Sequence, residues 1–87
     1  MAIIFIPAQL RTLTGGSATV ELSAATVGEA VDQLETRFPG IRARLCQGND
    51  LLPGLQVSID HRFTRQGLSA ALQPGSELHF LPVIGGG

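Results

Sequence analysis

TVGEAVDQLETRFPG, residues 26–40, contains the clearest helix signal of the chain and decides how the rest can fold. Thr26 and Glu29 have the spacing of a capping box, in which each side chain satisfies a backbone N–H at a helix start. The Pro-Gly pair at positions 39 and 40 ends the helix. The apolar residues recur at helical spacing on one face: Val27, Ala30, Val31, Leu34 and Phe38. We therefore predict one amphipathic helix that packs on an apolar surface.

Four segments around this helix are predicted to be strands: residues 2–8, 18–23, 55–60 and 77–83. The first is nearly continuously apolar, with Ile3 and Phe5 facing away from Ile4, so one apolar face must look outward. The other three strands alternate between two faces. Leu78 and Phe80 of the last strand share one face, and the residues at 79 and 81 share the other.

The connections between these strands have distinct signals. The Gly15-Gly16 pair predicts a hairpin turn rather than a phosphate loop, because a strand and not a helix follows it. The other connections are predicted as a short helical turn at 41–45, a loop at 49–54, an irregular stretch with one short edge strand at 61–72, and a turn at 73–77.

Together these elements predict an α+β fold with one main helix packed on one mixed sheet. The first and last strands can lie side by side in parallel, joined by everything between them. This arrangement is the β-grasp, or ubiquitin-like, topology. We expect residues 1–84 to form a single domain and residues 85–87 to form a flexible glycine tail.

Composition argues against several classes of function. The 87 residues are 44% hydrophobic with a net charge of −1, so the chain can bury a core but has no basic stripe for nucleic acid. One cysteine, Cys46, excludes an internal disulfide and any zinc or iron–sulfur site built from several thiolates. The start of the chain has no basic n-region, and its apolar run is too short to span a bilayer. We expect a soluble, cytoplasmic protein that binds neither nucleic acid nor membrane.

The side chains that could carry chemistry form no defensible catalytic set. Cys46 is interpreted as a small apolar filler rather than a sulfur-relay thiol. His61 is expected at a strand end and His79 on the outer sheet face, without a third ligand for a metal. Asp32 and Glu35 are interpreted as a solvated helix face. Four arginines either meet an acidic partner or keep the chain soluble: Arg42, Arg44, Arg62 and Arg65.

The three glycines at 85–87 add nothing to a fold, because glycine has the backbone that is hardest to order. Placed after an apolar strand of a β-grasp domain, they give the sequence a resemblance to the ubiquitin-like sulfur carriers, the ThiS, MoaD and CysO family. The resemblance covers essentially the whole chain and is closest to the MoaD and CysO branches. It rests on four segments: IPAQLRTLTGG (6–16), TVGEAVDQLETRFPGIRARL (26–45), LQVSID (55–60) and PGSELHFLPVIGGG (74–87).

This resemblance implies a sulfur carrier that is not itself an enzyme and binds no cofactor. A ubiquitin-activating-like adenylyltransferase would use ATP to adenylate the carboxylate of Gly87. A sulfur donor would then convert the acyl-adenylate to a thiocarboxylate, which delivers sulfur to an acceptor synthase. Gly85 and Gly86 belong to the tail that enters the partner without side chains. Either Gly86 and Gly87 are the terminal pair, which we favour, or Gly87 is an extra residue that a metalloprotease removes first.

The outer face of the sheet near the tail is the predicted docking surface. Leu81 falls opposite Leu78 and Phe80, Val83 continues its row, and Ile84 leads into the glycines. We expect these residues to dock the activating enzyme and the sulfur acceptor. The alternative is that this face packs in a homodimer.

The pathway and two other functions stay open. Sulfur delivery for cysteine, for molybdopterin (as the small subunit of its synthase) or for another sulfur metabolite fits the resemblance equally well. The same tail also fits a ubiquitin-like modifier that forms isopeptide bonds with target lysines. A β-grasp interaction module with an inert tail is the third alternative.

Overall fold

The computed structural model describes residues 1–83, which form seven strands and two α-helices around one hydrophobic core. Two short 3-10 helices, Ala8–Leu10 and Gly67–Ser69, lie in the connections. Residues 84–87, with the predicted docking residue Ile84 and the predicted tail, lie outside the described residues. The main elements in chain order are β1 (Ala2–Phe5), β2 (Thr19–Leu22), α1 (Val27–Arg37), α2 (Ile41–Leu45), β3 (Cys46–Gln47), β4 (Asp50–Leu51), β5 (Leu55–Ile59), β6 (Arg62–Thr64) and β7 (Glu77–Pro82).

Five of these strands form one mixed sheet in the order β2, β1, β7, β5, β6. β1 and β7 run in parallel with Ile4 opposite Leu78, whereas the other neighbours are antiparallel. The parallel pairing of the first strand with the last confirms the predicted β-grasp fold. β7 lies at the centre of the sheet: β1 pairs with its first half, up to His79, and β5 pairs with the half that leads toward the glycines, up to Pro82.

Helix α1 begins and ends where the sequence predicts. The Thr26 Oγ1 atom accepts the Glu29 N–H at 3.2 Å, and a Glu29 carboxylate oxygen accepts the Ala25 N–H at 3.2 Å, one residue before the predicted cap. Four of the five predicted apolar positions are buried against the sheet, and Phe38, just after the helix, is half-buried. The apolar stripe therefore covers one face of the sheet.

Glu35 has a structural role that the sequence analysis missed. Its carboxylate accepts the N–H of Arg42 at 2.9 Å and the N–H of Gly40 at 3.0 Å, at the start of α2. These two hydrogen bonds stabilise the ionised form, so they hold the pKa of Glu35 below its usual value. Asp32 pairs with the Arg42 guanidinium at 3.3 Å, and Arg42 also donates to the Gly48 carbonyl. Arg42 thus joins α1 to α2 and to the following turn.

Two predicted connections differ from the structure. Residues 49–54 were expected to be loop throughout, but Asp50 and Leu51 form β4, which pairs with β3. Gly15 and Gly16 do form a turn, with φ of 65° and 90°, but they lie inside a long connection between β1 and β2 rather than at a tight hairpin. The pairing partners of β4 and the 3-10 helix after β1 depend on packing, which local residue patterns do not reveal.

The core lies between α1 and the inner face of the sheet. Fully buried side chains come from both layers and from α2: Ile4, Leu22, Val27, Val31, Leu34, Ile41, Leu45, Val57 and Leu78. Within residues 1–83, no helix is long and apolar enough to cross a bilayer.

Candidate functional site

The strand that leads to the glycine segment is fixed to the domain up to its last described residue. The Val83 N–H donates to the Gly54 carbonyl at 2.8 Å, and the Gln56 side chain donates to the Pro82 carbonyl at 3.2 Å. The chain therefore leaves the domain at a defined point, beside the start of β5.

The outer face of the sheet, which α1 does not cover, carries a row of side chains in register across five strands. The row consists of Thr19, Phe5, His79, Ser58 and Phe63. The rings of Phe5 and His79 stack with centroids 4.0 Å apart and planes 14° apart. Ser58 is buried in the middle of the row, and Phe63 at its end is 63% exposed. This outer row gives the face an aromatic and partly exposed surface.

The histidines lie where the sequence predicts, His61 exposed at the end of β5 and His79 on the outer face. Their rings are 6.4 Å apart and tilted by 32°. His61 belongs to a tight turn in which Asp60 and His61 both have positive φ. The Asp60 carboxylate holds this turn by accepting the Glu77 N–H at 2.9 Å and the Ser76 hydroxyl at 3.1 Å. Within residues 1–83, no group of His, Cys, Asp or Glu residues is arranged to hold a metal ion.

Of the predicted docking residues, the structure describes two. Leu81 lies on the outer face, half-buried and opposite Gln56. Val83 is 46% exposed and borders a hollow of about 340 Å³ together with Gln56 and Arg65. Ile84, Gly85, Gly86 and Gly87 lie outside the described residues.

The residue pattern predicts an irregular segment around Phe63 and does not place this residue on the docking face. Its position next to His79 and Ser58 follows only from the pairing of β6 with β5. β6 contains only three residues, and so short a segment does not reveal which strand it pairs with or in what register.

Cys46 lies in the core, as the sequence indicates for a small apolar filler. Burial raises the pKa of its thiol, and the positive charge of Arg42 compensates only in part. A buried thiol with a raised pKa is a poor nucleophile. Cys46 is therefore a packing residue in this structure.

Comparison with known proteins identifies the family. The sequence model of the ThiS family matches residues 4–87, nearly the whole chain. The chain belongs to the ThiS family. This confirms the resemblance to the ubiquitin-like sulfur-carrier family, whose members are carriers rather than catalysts.

The relatives of this ThiS-family chain include the sulfur carrier protein CysO of Mycobacterium tuberculosis. The two are 33% identical over 92 residues, covering 97% of this chain and 96% of the relative. A CysO from Amycolatopsis orientalis, solved in complex with BexX, superposes with a TM-score of 0.89 at 38% identity and covers both chains fully. SAMP1 of Haloferax volcanii superposes with a TM-score of 0.76 at 28% identity, covering 99% of this chain and 98% of that one.

Proposed function

We propose that this protein carries sulfur as a thiocarboxylate on Gly87. The observation that carries the proposal is the placement of β7, the central strand, which leads directly into the glycine segment and is anchored by the Val83 hydrogen bond to Gly54. The CysO relatives, which are sulfur carrier proteins, support the same role.

The chemistry uses main-chain atoms alone. A carboxylate oxygen of Gly87 attacks the α-phosphorus of ATP and displaces pyrophosphate, which leaves an acyl-adenylate with AMP as a good leaving group. A sulfur donor then attacks the acyl carbon and AMP departs, so one carboxylate oxygen is finally replaced by sulfur. No oxidant or reductant is needed when the donor supplies sulfur at the sulfide level. Side chains of this protein need only fold the domain and dock the partner.

The three glycines match this requirement. A reacting chain end must enter the active site of the activating enzyme, and every Cβ atom would make the entering segment wider. Four residues follow Val83, and four extended residues span at most about 14 Å. The partner must therefore bring its ATP site close to the point where the chain leaves the domain.

We assign the docking of the activating enzyme to the outer face next to this exit point. Leu81, Val83 and the stacked pair of Phe5 and His79 give this face apolar and aromatic character, which is typical of the centre of a protein interface. A homodimer on the same face is the alternative. It predicts a stable dimer in the absence of any partner.

The terminal register has two versions that differ in processing. In the favoured one, Gly86 and Gly87 are the functional pair and removal of Gly87 is not part of activation. In the other, Gly85 and Gly86 are the pair, and a metalloprotease removes Gly87 first. A variant that lacks only Gly87 separates them, because it is inactive in the first case and directly active in the second.

The acceptor is proposed from the relatives. Likeness to CysO over nearly the full length favours an acceptor synthase for cysteine, and delivery for molybdopterin or another sulfur metabolite uses the same tail. The Amycolatopsis CysO was solved in complex with BexX. We infer that this chain likewise forms a complex with a partner protein, and we propose that this partner is the sulfur acceptor.

A second candidate function is protein modification. SAMP1 of Haloferax volcanii is a small archaeal modifier protein. A lysine amine can also attack the acyl-adenylate of a glycine terminus, which displaces AMP and forms an isopeptide bond. Because this chain contains six arginines and no lysine, it cannot build lysine-linked chains on itself. Covalent conjugates that survive reducing, denaturing gels would favour this function over sulfur carriage.

Adenylation is the step to test. With a candidate activating enzyme, the full chain should support ATP–pyrophosphate exchange, and a variant lacking Gly86 and Gly87 should abolish it while retaining the fold. Because the deletion removes no described residue, an unchanged circular dichroism spectrum is the control. Exchange that persists after the deletion would contradict the proposal. Failure of both chains with several competent activating enzymes would favour an interaction module with an inert tail.

A further inference from the structure

The two edge strands of the sheet, β2 and β6, differ in how far side chains cover their outward main-chain groups. Just beyond the β1–β2 ladder, the Ile6 N–H donates to the Ala18 carbonyl at 2.8 Å. Alternation along β2 then directs the main-chain groups of Glu21 and Ser23 away from β1. Side chains of α1 cover both carbonyls. Arg37 donates to the Glu21 carbonyl at 3.3 Å, and Gln33 donates to the Ser23 carbonyl. These side chains therefore obstruct a further strand along the second half of β2.

The opposite edge, β6, has no such cover. Ile59 and Arg62 flank the two-residue turn and form the first pair of the ladder. Alternation then directs the N–H and C=O of Phe63 away from β5, toward the free side. In the part of the chain that the structure describes, these two groups have no hydrogen-bond partner. The Phe63 side chain beside them is 63% exposed.

The charges along this edge are positive. Arg62 and Arg65 flank Phe63 and are exposed, and neither forms a salt bridge within residues 1–83. The Asp60 carboxylate in the adjacent turn is already engaged by Ser76 and Glu77. Asp50, which borders the same hollow as Arg65, is the acidic residue that faces this end of the strand.

We propose that the β6 edge binds an extended acidic segment of a partner protein by strand addition. One residue of the segment pairs with Phe63 through two main-chain hydrogen bonds and places an apolar side chain beside the phenyl ring. Because side chains alternate, carboxylates of the segment can lie opposite Arg62 on one face and Arg65 on the other. This edge adjoins the proposed docking face at Phe63 and at the hollow that Val83 and Arg65 share, but the inference does not depend on the proposed sulfur chemistry.

A second copy of this chain fits the edge poorly. Antiparallel pairing of two β6 strands about Phe63 would place Arg65 opposite His61 of the other copy and bring the two Arg62 side chains close together. Like charges on neighbouring strands destabilise a sheet. The charge pattern therefore favours an acidic partner over self-association.

A labelled peptide and amide exchange test the proposal on the full chain. The probe is acetyl-Thr-Glu-Thr-Val-Glu-Thr-amide carrying fluorescein, whose antiparallel register puts Val opposite Phe63 and the two Glu residues opposite Arg62 and Arg65. We expect saturable binding and slowed exchange of the Phe63 amide proton when the peptide is added. A matched peptide with Lys in place of both Glu residues should bind at least about fivefold more weakly, since two exposed ion pairs are lost.

Variants separate the main-chain contact from the side chains. Phe63→Pro removes the outward N–H, which no hydrogen bond of the fold uses, and proline is tolerated at such edge positions. Binding of the acidic peptide should fall about tenfold or more relative to the Phe63→Ala variant. The double variant Arg62→Glu and Arg65→Glu should lose the acidic peptide and gain the lysine peptide.

Three outcomes would overturn the proposal. One is equal binding of both peptides, and another is chemical-shift change centred on His79 and Leu81 rather than on β6. The third is protection of the Phe63 amide without peptide that increases with protein concentration. That last result would assign the edge to a second copy of the chain.

Discussion

The two faces of the sheet are built from alternate residues of the same strands, yet one packs in the core and the other remains partly exposed. In β7, Leu78 and Phe80 lie under α1 with at most 5% of their surface exposed, whereas His79 and Leu81 lie half-buried on the outer face. The inner face is apolar, whereas the outer face mixes apolar side chains with polar ones such as Thr19, Gln56 and Ser58. The difference is the helix, which covers one face and leaves the other available to a partner.

This difference predicts that stability and docking can be changed independently. Leu78→Ala should lower the free energy of unfolding by about 2–5 kcal/mol, because it leaves a cavity in a close-packed core. Leu81→Ala, the same change three positions later on the outer face, should cost about 1 kcal/mol, because less area leaves water on folding. Urea denaturation of both variants measures the two values.

The pair of variants would break the comparison if their costs were equal. An equal loss would mean that Leu81 is packed as tightly as Leu78 and that the outer face belongs to the core. The unfolding slope serves as the control, since an unchanged slope shows that both variants unfold from the same folded state.

The second prediction concerns the docking face. Leu81→Arg places a charge on the proposed interface and should reduce the rate of activation by the adenylating enzyme at least about tenfold, as loss of an interface anchor does. Stability should change by less than about 1 kcal/mol, because a long arginine side chain can leave the half-buried site for solvent. ATP–pyrophosphate exchange at low carrier concentration measures the effect.

Gln47→Arg is the matched control, since it adds the same charge at an exposed position of β3, outside the five-stranded sheet. It should leave activation unchanged. A correctly folded Leu81→Arg protein that is activated at the normal rate would remove the docking face from the account.

The third prediction concerns a substitution that weakens α1, the helix that covers the inner face. Thr26→Ala deletes the side-chain acceptor for the Glu29 N–H and should destabilise the domain by about 1 kcal/mol. Activation measured well below the melting temperature should stay the same, because the outer face and the glycine segment are untouched. A fall in activation at full folding would show that α1 influences docking.

The smallest effect is expected at Glu35. Because hydrogen bonds from Arg42 and Gly40 lower its pKa in the folded state, its contribution to stability is present above the unfolded-state pKa and is lost as pH falls through the folded pKa. The Glu35→Gln variant should therefore show a shallower loss of stability below about pH 4.5. Thermal melts of both proteins from pH 6 to pH 3 test this, and parallel curves would contradict it.

Much of the fold could be predicted from local patterns. The capping residues Thr26 and Glu29 locate α1, and the alternation in β2, β5 and β7 identifies their buried sides. These signals are local, because a helix cap and a strand face are set by neighbours in sequence. The parallel pairing of the first and last strands followed from the order of elements.

The parts that could not be predicted depend on contacts between distant residues. β3 and β4 contain two residues each, too few for a strand pattern, and they pair only because α2 ends beside them. Glu35 looked like a solvated residue because its partners, the N–H groups of Gly40 and Arg42, are main-chain atoms with no signature in the sequence. Phe63 joined the outer face only through its pairing with Ser58. On the outer face, alternation predicted the positions of Leu81, His79 and Phe5, whereas the position of Phe63 was not predicted.

The central claim is that Gly87 carries sulfur, and mass spectrometry tests it most directly. The full chain would be incubated with ATP, sulfide and a candidate activating enzyme, then cleaved after arginine. Arg65 is the last basic residue, so the peptide 66–87 contains the glycines but neither Met1 nor Cys46, whose oxidation adds nearly the same nominal mass. We expect one oxygen to be exchanged for sulfur in this peptide, at Gly87, only when ATP is present. An unchanged peptide with several competent activating enzymes, both for the full chain and for the chain lacking Gly87, would contradict it.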